Sequence, residues 1–251
     1  ETSFATLSAA VRNRQTLNQY FHDTFQQKTN TGKSAAYILP DDPRNHLYDV
    51  VNMLKAHGVE VHRAGTNFTV NKAHTYETGK AGRQVFKKGD FIIYTDQPRH
   101  LFINTVLQRE MAIEDSIMYD MATWAAPLAY NLDAYWSETK PRVKADLVKE
   151  SLAYSSGVTQ VRDAYAYVID WDQRHAPKAL ARLWAKGYKV RSARKEFNNG
   201  LRTYSRGTLV ILMGRNTDKT DSVRDDMDQL ARQTGVFIEA FTTGRMQDGD
   251  R

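Results

Sequence analysis

The chain has 251 residues, of which 41% are hydrophobic and 25% charged, so it can form one large or two small domains and is not a disordered protein. It contains no cysteine, which excludes disulfides, thiolate metal sites and cysteine nucleophiles. The formal net charge is +6, but the basic residues are scattered and their densest stretch, residues 191–195, is short. We therefore predict a solvated surface and no nucleic-acid partner. No apolar run approaches the roughly 18 residues of a membrane span.

The first predicted element is a helix over residues 3–26. Its apolar side chains recur at helical spacing, so we expect the helix to pack across the unit that follows. These side chains are Phe4, Leu7, Val11, Leu17, Phe21 and Phe25. The chain begins at Glu1 and not at a methionine, so we treat it as a possible fragment that lacks a leader, a tag or a preceding domain.

An internal repeat organises the rest of the chain. Pairing Ala35 with Ala164 gives an offset of 129 residues (164 − 35), and this offset is kept through the helix that follows. Further on, the segments KGDFIIYT and RGTLVILM match at an offset of 118 residues (207 − 89). The difference of 11 residues (129 − 118) predicts one insertion in the first copy, between Phe68 and Phe86.

Each copy is predicted to contain a strand, a helix, a strand, a surface loop, a strand and a helix. The strands are short and apolar on both sides, which is typical of parallel strands covered by helices on both faces. Gly58 and Gly187 fall where a helix end favours a left-handed residue. The first helix carries an i, i+3, i+4, i+7 apolar stripe, formed by Leu47, Val50, Val51 and Leu54.

These patterns predict an α/β fold of two repeated βαβ units, with parallel strands flanked by helices, right-handed crossovers and a flavodoxin-like architecture. Residues 1–34 are assigned to the N-terminal helix and a linker, and residues 35–136 to the first unit. Residues 137–163 form a connector. Residues 164–251 form the second unit, which we expect to be truncated.

Two short motifs are candidates for chemistry. His57 and Glu60 have the HxxE spacing of two zinc ligands in carboxypeptidases, but their counterparts Lys186 and Lys189 cannot bind metal and no third ligand is identifiable. We interpret this spacing as a coincidence. Residues 31–34, TGKS, resemble the end of a phosphate-binding loop but precede a strand, which indicates a linker. Neither a GxGxxG fingerprint nor a GxSxG elbow is present.

Polar side chains follow several of the predicted strands. Open parallel sheets bind their ligands at the carboxyl ends of the strands, so these residues are candidates for binding a polar ligand or a partner domain. They are equally suited to be helix caps and turn formers, and both interpretations remain open. The candidates are Asp41, Asp42 and Arg44, then Asp96, Gln97 and Arg99, then Asp170, Asp172 and Arg174, and finally Arg215 and Asn216.

Four segments, HGVEVHRA, FKKGDFIIYTDQPRHLF, SIMYDMATWAAPLAYN and GTLVILMGRN, carry a family resemblance. They are similar to the region that follows the catalytic domain in large bacterial zinc carboxypeptidases of the carboxypeptidase A type, a region that itself resembles class I glutamine amidotransferase domains. The resemblance covers nearly the whole chain, and its more specific parts are residues 119–128 and the turn at residues 96–98.

The resemblance implies a secreted or periplasmic metallocarboxypeptidase as the parent protein. Its zinc would be held by a preceding peptidase domain, which this sequence does not contain and which would be the chain's partner. No catalytic residue carries over to this chain, and no cofactor or metal is expected in it. Amidotransferase chemistry requires a cysteine nucleophile and is therefore excluded.

Three functional hypotheses follow. The first is a non-catalytic accessory region of a zinc carboxypeptidase, which packs against the peptidase domain or shapes the access of peptide substrates. The second is a small-ligand binding module that uses the strand-end loops. The third is an enzyme whose site is completed by a partner subunit.

Overall fold

A computed structural model describes residues 2–26, 32–110 and 125–246. The chain forms two compact units. The first comprises Glu1–Asp41 with Asp49–Ser151, and the second comprises Asp42–Tyr48 with Leu152–Arg251. Residues 116–124 of the segment SIMYDMATWAAPLAYN and residue 31 of the TGKS motif lie outside the described residues.

Helices and strands alternate along the described chain. As far as Ser151 they are α1 (Thr2–Arg12), α2 (Arg14–Gln26), β1 (Ala36–Leu39), α3 (His46–Ala56), β2 (His62–Ala64), β3 (Phe68–Thr75), β4 (Ala81–Phe86), β5 (Phe91–Tyr94), α4 (His100–Leu107), α5 (Ala126–Ala129), β6 (Tyr135–Ser137) and β7 (Ala145–Leu147). Beyond it they are β8 (Gly157–Val158), β9 (Ala166–Ile169), α6 (Ala176–Ala185), β10 (Arg191–Ser192), β11 (Phe197–Asn198), β12 (Thr203–Tyr204), β13 (Leu209–Leu212), α7 (Val223–Thr234) and β14 (Phe237–Phe241), with two short 3₁₀ turns between β13 and α7.

The predicted N-terminal helix is present as α1 and α2, which are interrupted at Asn13. Its apolar stripe does not pack as expected, because α1 has no buried residue and the side chains of Phe4 and Phe21 are 79% and 65% exposed. Phe25 has a contact with the rest of the unit, since the Arg99 guanidinium lies 5.2 Å from its ring centre. Helical spacing therefore predicted the helix but not its packing.

The sheet of the first unit has the strand order β4-β3-β6-β1-β5-β2-β7, and every neighbouring pair is antiparallel. The prediction of parallel, flavodoxin-like βαβ units is therefore wrong. Strands β1 and β2 do run in the same direction and are joined by α3, but β5 lies between them and pairs antiparallel with both. Short apolar runs indicate buried strands without indicating which strands are neighbours, and this is why the arrangement was mistaken.

The second unit repeats this arrangement. Its sheet has the order β10-β13-β9-β14-β8, and all pairs are antiparallel except β14 with β8. The four strands β14-β9-β13-β10 correspond to β6-β1-β5-β2, and the registers match, since Leu39 pairs with Phe91 and Ile169 pairs with Leu209. Each unit is thus a βαββαβ motif with strand order 4-1-3-2, as in ferredoxin-like folds.

Among the described residues of the second unit, helices cover one face of the sheet, whereas helices on both faces were predicted. Side chains of α6 and α7 pack there on Tyr167, Ile169 and Ile211. Val168, on the opposite face, packs with the β11–β12 hairpin. The apolar stripe predicted for the first helix of copy one is confirmed, because Leu47, Val50, Val51 and Leu54 are fully buried.

The predicted left-handed glycines are also confirmed, with φ values of +77° at Gly58 and +80° at Gly187. Both follow a helix and allow the chain to turn into the next strand. In the described part of the chain, no helix has the length and apolar character that crossing a bilayer requires.

Candidate ligand-binding site

The antiparallel order separates the strand-end residues predicted as a site in the first unit. Asp41 follows β1 and lies beside the turn before β5, where its backbone N–H donates to Asp90 Oδ1 at 3.0 Å and its carboxylate accepts from Arg63 at 3.0 Å. Asp96 follows β5 at the other end of the β1–β5 strand pair, where it forms an exposed ion pair with Lys140. Arg99 also follows β5 and lies at the same end of the strand pair as Asp96. The residues therefore do not form one ligand site.

Gln97 and Asn216 are buried amides that bind backbone groups. Gln97 Nε2 donates to the carbonyls of Tyr94 and Glu60 at 2.7 and 3.1 Å, and its Oε1 accepts from the Glu60 N–H at 2.7 Å. Asn216 Nδ2 donates to the carbonyls of Leu212 and Lys189 at 2.9 and 3.1 Å, and its Oδ1 accepts from the Lys189 N–H at 2.8 Å. The two residues therefore have the same structural role in the two copies.

The remaining predicted residues belong to the second unit. Arg44 Nε donates to Asp42 Oδ1 at 2.9 Å, and the carbonyl of Arg44 accepts from the Arg174 N–H at 2.9 Å. The carbonyl of Asp172 contacts His46 Nε2 at 2.7 Å. Arg215 is exposed in a 3₁₀ turn after β13. These contacts are those of turn-forming residues, which was the alternative to ligand binding in the sequence analysis.

Asp170 belongs to a larger ionic network. Its carboxylate accepts from Ser205 Oγ at 3.0 Å and lies 3.2 Å from Arg202 Nη2, which also lies 2.8 Å from Glu239 Oε1. Glu239 Oε2 in turn accepts from the Tyr204 hydroxyl at 2.5 Å. Burial, and after it the hydrogen bond to Glu239, raise the pKa of Tyr204 to about 12.

Both residues of the HxxE pair, His57 and Glu60, are exposed. The His57 ring stacks on Phe102 with centroids 4.5 Å apart, and the Glu60 N–H and C=O are bound by Gln97. Within residues 2–26, 32–110 and 125–246, no group of three or more His, Asp or Glu side chains is arranged to hold a metal ion.

The sheet face away from the helices carries the same aromatic pair in both units. Phe68 pairs with Phe86 and stacks on it with centroids 5.1 Å apart, and Phe197 pairs with Tyr204 and stacks at 4.8 Å. The predicted insertion lies between the first two rings, because β3 and β4 form a long hairpin whereas β11 and β12 are two residues each. The difference between the hairpins determines how much of this face is covered.

In the first unit the face is covered. Val70 and Ala73 of the long hairpin pack on β1 and β5, together with Val143 and Ala145 from β7 and the segment before it. In the second unit the short hairpin leaves a pocket of about 460 Å³. We call it the hairpin pocket. Its floor is Ala166, Val168, Val210 and Leu212, its walls include Phe197, Phe241 and Met246, and its rim carries Arg191, Arg194 and Lys195.

The rim is positively charged and exposed. Arg191 and Arg194 are both exposed, and neither guanidinium is paired with a carboxylate in the part of the chain that the structure describes. The floor is apolar, so the pocket combines a surface for a hydrophobic group with cations for an anionic one. Comparison with protein-family models, with curated proteins and with solved structures found no match. The assignment of the site therefore depends on its geometry.

None of the residues predicted as a site is among the described residues that line the hairpin pocket. Two signals in the sequence do point to it. The basic stretch at residues 191–195 forms its rim, and the 11-residue difference between the copies marks the shortened hairpin. Neither signal is interpretable without knowing that the hairpin lies over the sheet, because hairpin length alone does not indicate which face is left open.

Proposed function

We propose that the chain is a non-catalytic binding region and that the hairpin pocket holds its ligand. The observation that carries the proposal is that one sheet face, covered in the first unit, is open in the second over a volume of about 460 Å³. That volume lies within the roughly 300–1,000 Å³ of small-molecule sites. The ligand class that fits has an apolar body for the floor and an anionic group for Arg191 and Arg194.

A pair of fluorescent dyes tests this proposal. We expect anilinonaphthalene sulfonate to bind one site per chain and the uncharged phenylnaphthylamine to bind more weakly at the same site. Arg191→Ala with Arg194→Ala is expected to weaken the sulfonate about tenfold, because a charge-assisted hydrogen bond contributes about 1.5–3 kcal/mol, and to change the neutral dye little. Fluorescence titration measures both affinities.

Arg232→Ala is the matched control, since Arg232 is exposed on α7, which packs on the opposite face of the sheet. Ala193→Trp, which fills the pocket from its lining, is expected to abolish binding of both dyes. Binding of both dyes to the Ala193→Trp protein with unchanged affinity would show that the hairpin pocket is not the site.

A second candidate function is an accessory region of a zinc metallocarboxypeptidase. It is supported by the family resemblance of four segments. In this proposal the parent protein is secreted or periplasmic, its zinc belongs to a preceding peptidase domain, and that domain is the partner of this chain.

Peptide hydrolysis by the isolated chain tests this second function. We expect no turnover of peptide C-termini in the presence of zinc, and no difference between the wild-type chain and the His57→Ala variant, because no metal ligand set surrounds His57 within the described residues. Released amino acids are measured by mass spectrometry. Turnover that disappears on chelation and in His57→Ala would overturn the non-catalytic assignment.

A further inference from the structure

β2 and β10 are corresponding strands of the two copies, but they differ in whether another strand pairs with their outer edge. In the first unit β7 pairs antiparallel with β2 along this edge, with His62 opposite Leu147, Arg63 opposite Asp146 and Ala64 opposite Ala145. In the second unit β10 is the last strand of its sheet, so within the described residues no strand pairs with its outer edge. Arg191 and Ser192, which form β10, are exposed.

The backbone of β10 is arranged like that of β2. On the inner side, the Ala64 N–H donates to Asp90 at 2.9 Å and the Ala193 N–H donates to Thr208 at 2.8 Å. On the outer side of β2, the Gly65 N–H donates to Lys144 at 2.9 Å.

A second outer bond of β2 runs from the Val148 N–H to the carbonyl of Val61 at 2.9 Å. With the offset of 129 residues, the corresponding outward groups of the second unit are the Arg194 N–H and the Val190 carbonyl. Antiparallel alternation places the N–H and C=O of Ser192 outward between them. Three alternate residues, Val190, Ser192 and Arg194, therefore present hydrogen-bonding groups along this edge.

Side chains of the β7 segment occupy the face that corresponds to the hairpin pocket. Val143 and Ala145 pack on the cluster that includes Ala64 and Ile92. The counterparts of Ala64 and Ile92 are Ala193 and Val210, and both line the hairpin pocket. A strand added to β10 in the register of β7 would therefore direct two alternate side chains into the pocket.

We propose that the outer edge of β10 binds an extended peptide from another protein as an additional antiparallel strand, with apolar side chains in the hairpin pocket. This inference rests on the proposed function and specifies its ligand. The peptide has apolar residues at the positions of Val143 and Ala145, and acidic residues opposite Arg191 and Arg194, because opposite charges on facing positions stabilise a strand pair. Strand addition of this kind obtains affinity from backbone hydrogen bonds and specificity from side-chain pockets.

The probe is a fluorescein-labelled peptide with the sequence of residues 141–150 and the changes Lys144→Glu and Leu147→Glu. These two positions are the ones that fall opposite Arg194 and Arg191 in the register of β7. We expect anisotropy titrations on the full chain to give saturable binding that weakens at least tenfold with Arg191→Ala and Arg194→Ala. The unchanged peptide is expected to bind more weakly than the acidic one.

N-methylated peptides test the strand pairing without altering the protein. Methylation of the amide at position 146, which faces the edge strand in this register, is expected to weaken binding at least tenfold. Methylation at position 145, whose amide faces away, is the matched control and is expected to leave binding within about threefold. Equal effects of the two methyl groups would overturn the proposed strand addition.

Ser192→Pro removes the outward N–H of β10 and is expected to abolish peptide binding, whereas Ser192→Ala keeps the N–H and is expected to bind. Thermal unfolding establishes that both variants are folded; if the proline variant is not, the N-methyl pair decides. Sulfonate dye binding without peptide binding would overturn this inference and leave the proposed function standing, and loss of both would overturn both. A dimer in sedimentation that Ser192→Pro dissociates would identify a second copy as the occupant and also overturn the proposal.

Discussion

Replacing Gln97 with leucine is expected to lower the free energy of unfolding of the first unit by about 3 kcal/mol, whereas Asp96→Ala next to it should lower it by less than about 1 kcal/mol. Gln97 is 6% exposed and satisfies both backbone groups of Glu60 and the carbonyl of Tyr94. Leucine has a similar volume but leaves all three groups without this partner. The Asp96→Ala variant loses only an exposed ion pair with Lys140.

Asn216→Leu is expected to have an effect of the same size in the second unit, because Asn216 makes the equivalent three bonds. Urea unfolding followed by circular dichroism measures all three variants. Both amides were candidates for ligand binding from the sequence, so the contrast distinguishes the two interpretations. A Gln97→Leu protein as stable as wild type would contradict the structural role assigned to this side chain.

Periodicity and internal repetition predicted much of the local structure. The buried stripe on α3 and the left-handed Gly58 and Gly187 follow from local rules that a sequence states directly. The insertion between Phe68 and Phe86 was also predicted, because two copies of one motif can be aligned within a single chain. The helix stripe and the two glycines depend on residues that are near one another in sequence, and the insertion depends on a comparison of the two copies.

Strand order was not predictable by the same reasoning. β5 inserts between β1 and β2, which are connected by α3, and no residue of the β1–α3–β2 segment indicates that a later strand will separate them. The strand-end residues were grouped on the assumption of parallel strands. Because β1 and β5 are antiparallel, Asp41 and Asp96 lie at opposite ends of the strand pair. The hairpin pocket was missed because it results from the absence of a long hairpin in the second copy, and a missing segment leaves no pattern of its own in the sequence.

Two positions in the network around Tyr204 carry polar side chains where the first copy has aromatic ones. Tyr204 corresponds to Phe86 at the hairpin, and Glu239 pairs with Val168 as Tyr135 pairs with Ile38. Where the first unit packs Phe86 against the edge of Tyr135 with centroids 5.2 Å apart, the second has a hydrogen bond from hydroxyl to carboxylate. The first unit therefore has a phenylalanine at the position that corresponds to Tyr204.

Tyr204→Phe is expected to lower the free energy of unfolding near neutral pH by about 1–3 kcal/mol, because Glu239 loses its donor and retains Arg202. The pKa of Tyr204 is raised from 10.0 to about 12 by burial and then by Glu239, so the folded state favours the neutral phenol. The stability that this preference contributes amounts to about 3 kcal/mol; it is complete below pH 10 and is lost as the pH rises through 12.

The phenylalanine variant has no phenol to ionise at this position, so its stability lacks this loss. The difference between the two proteins should therefore shrink by about 2 kcal/mol between pH 10 and pH 12. Urea titrations at half-unit intervals from pH 8 to pH 12 measure it, and the ionisation of other groups cancels in the difference. Tyr20→Phe, whose side chain is 72% exposed on α2, is the control and should stay parallel to wild type. A constant difference between wild type and Tyr204→Phe across this range would mean that burial and Glu239 do not raise the pKa of Tyr204 in the folded protein.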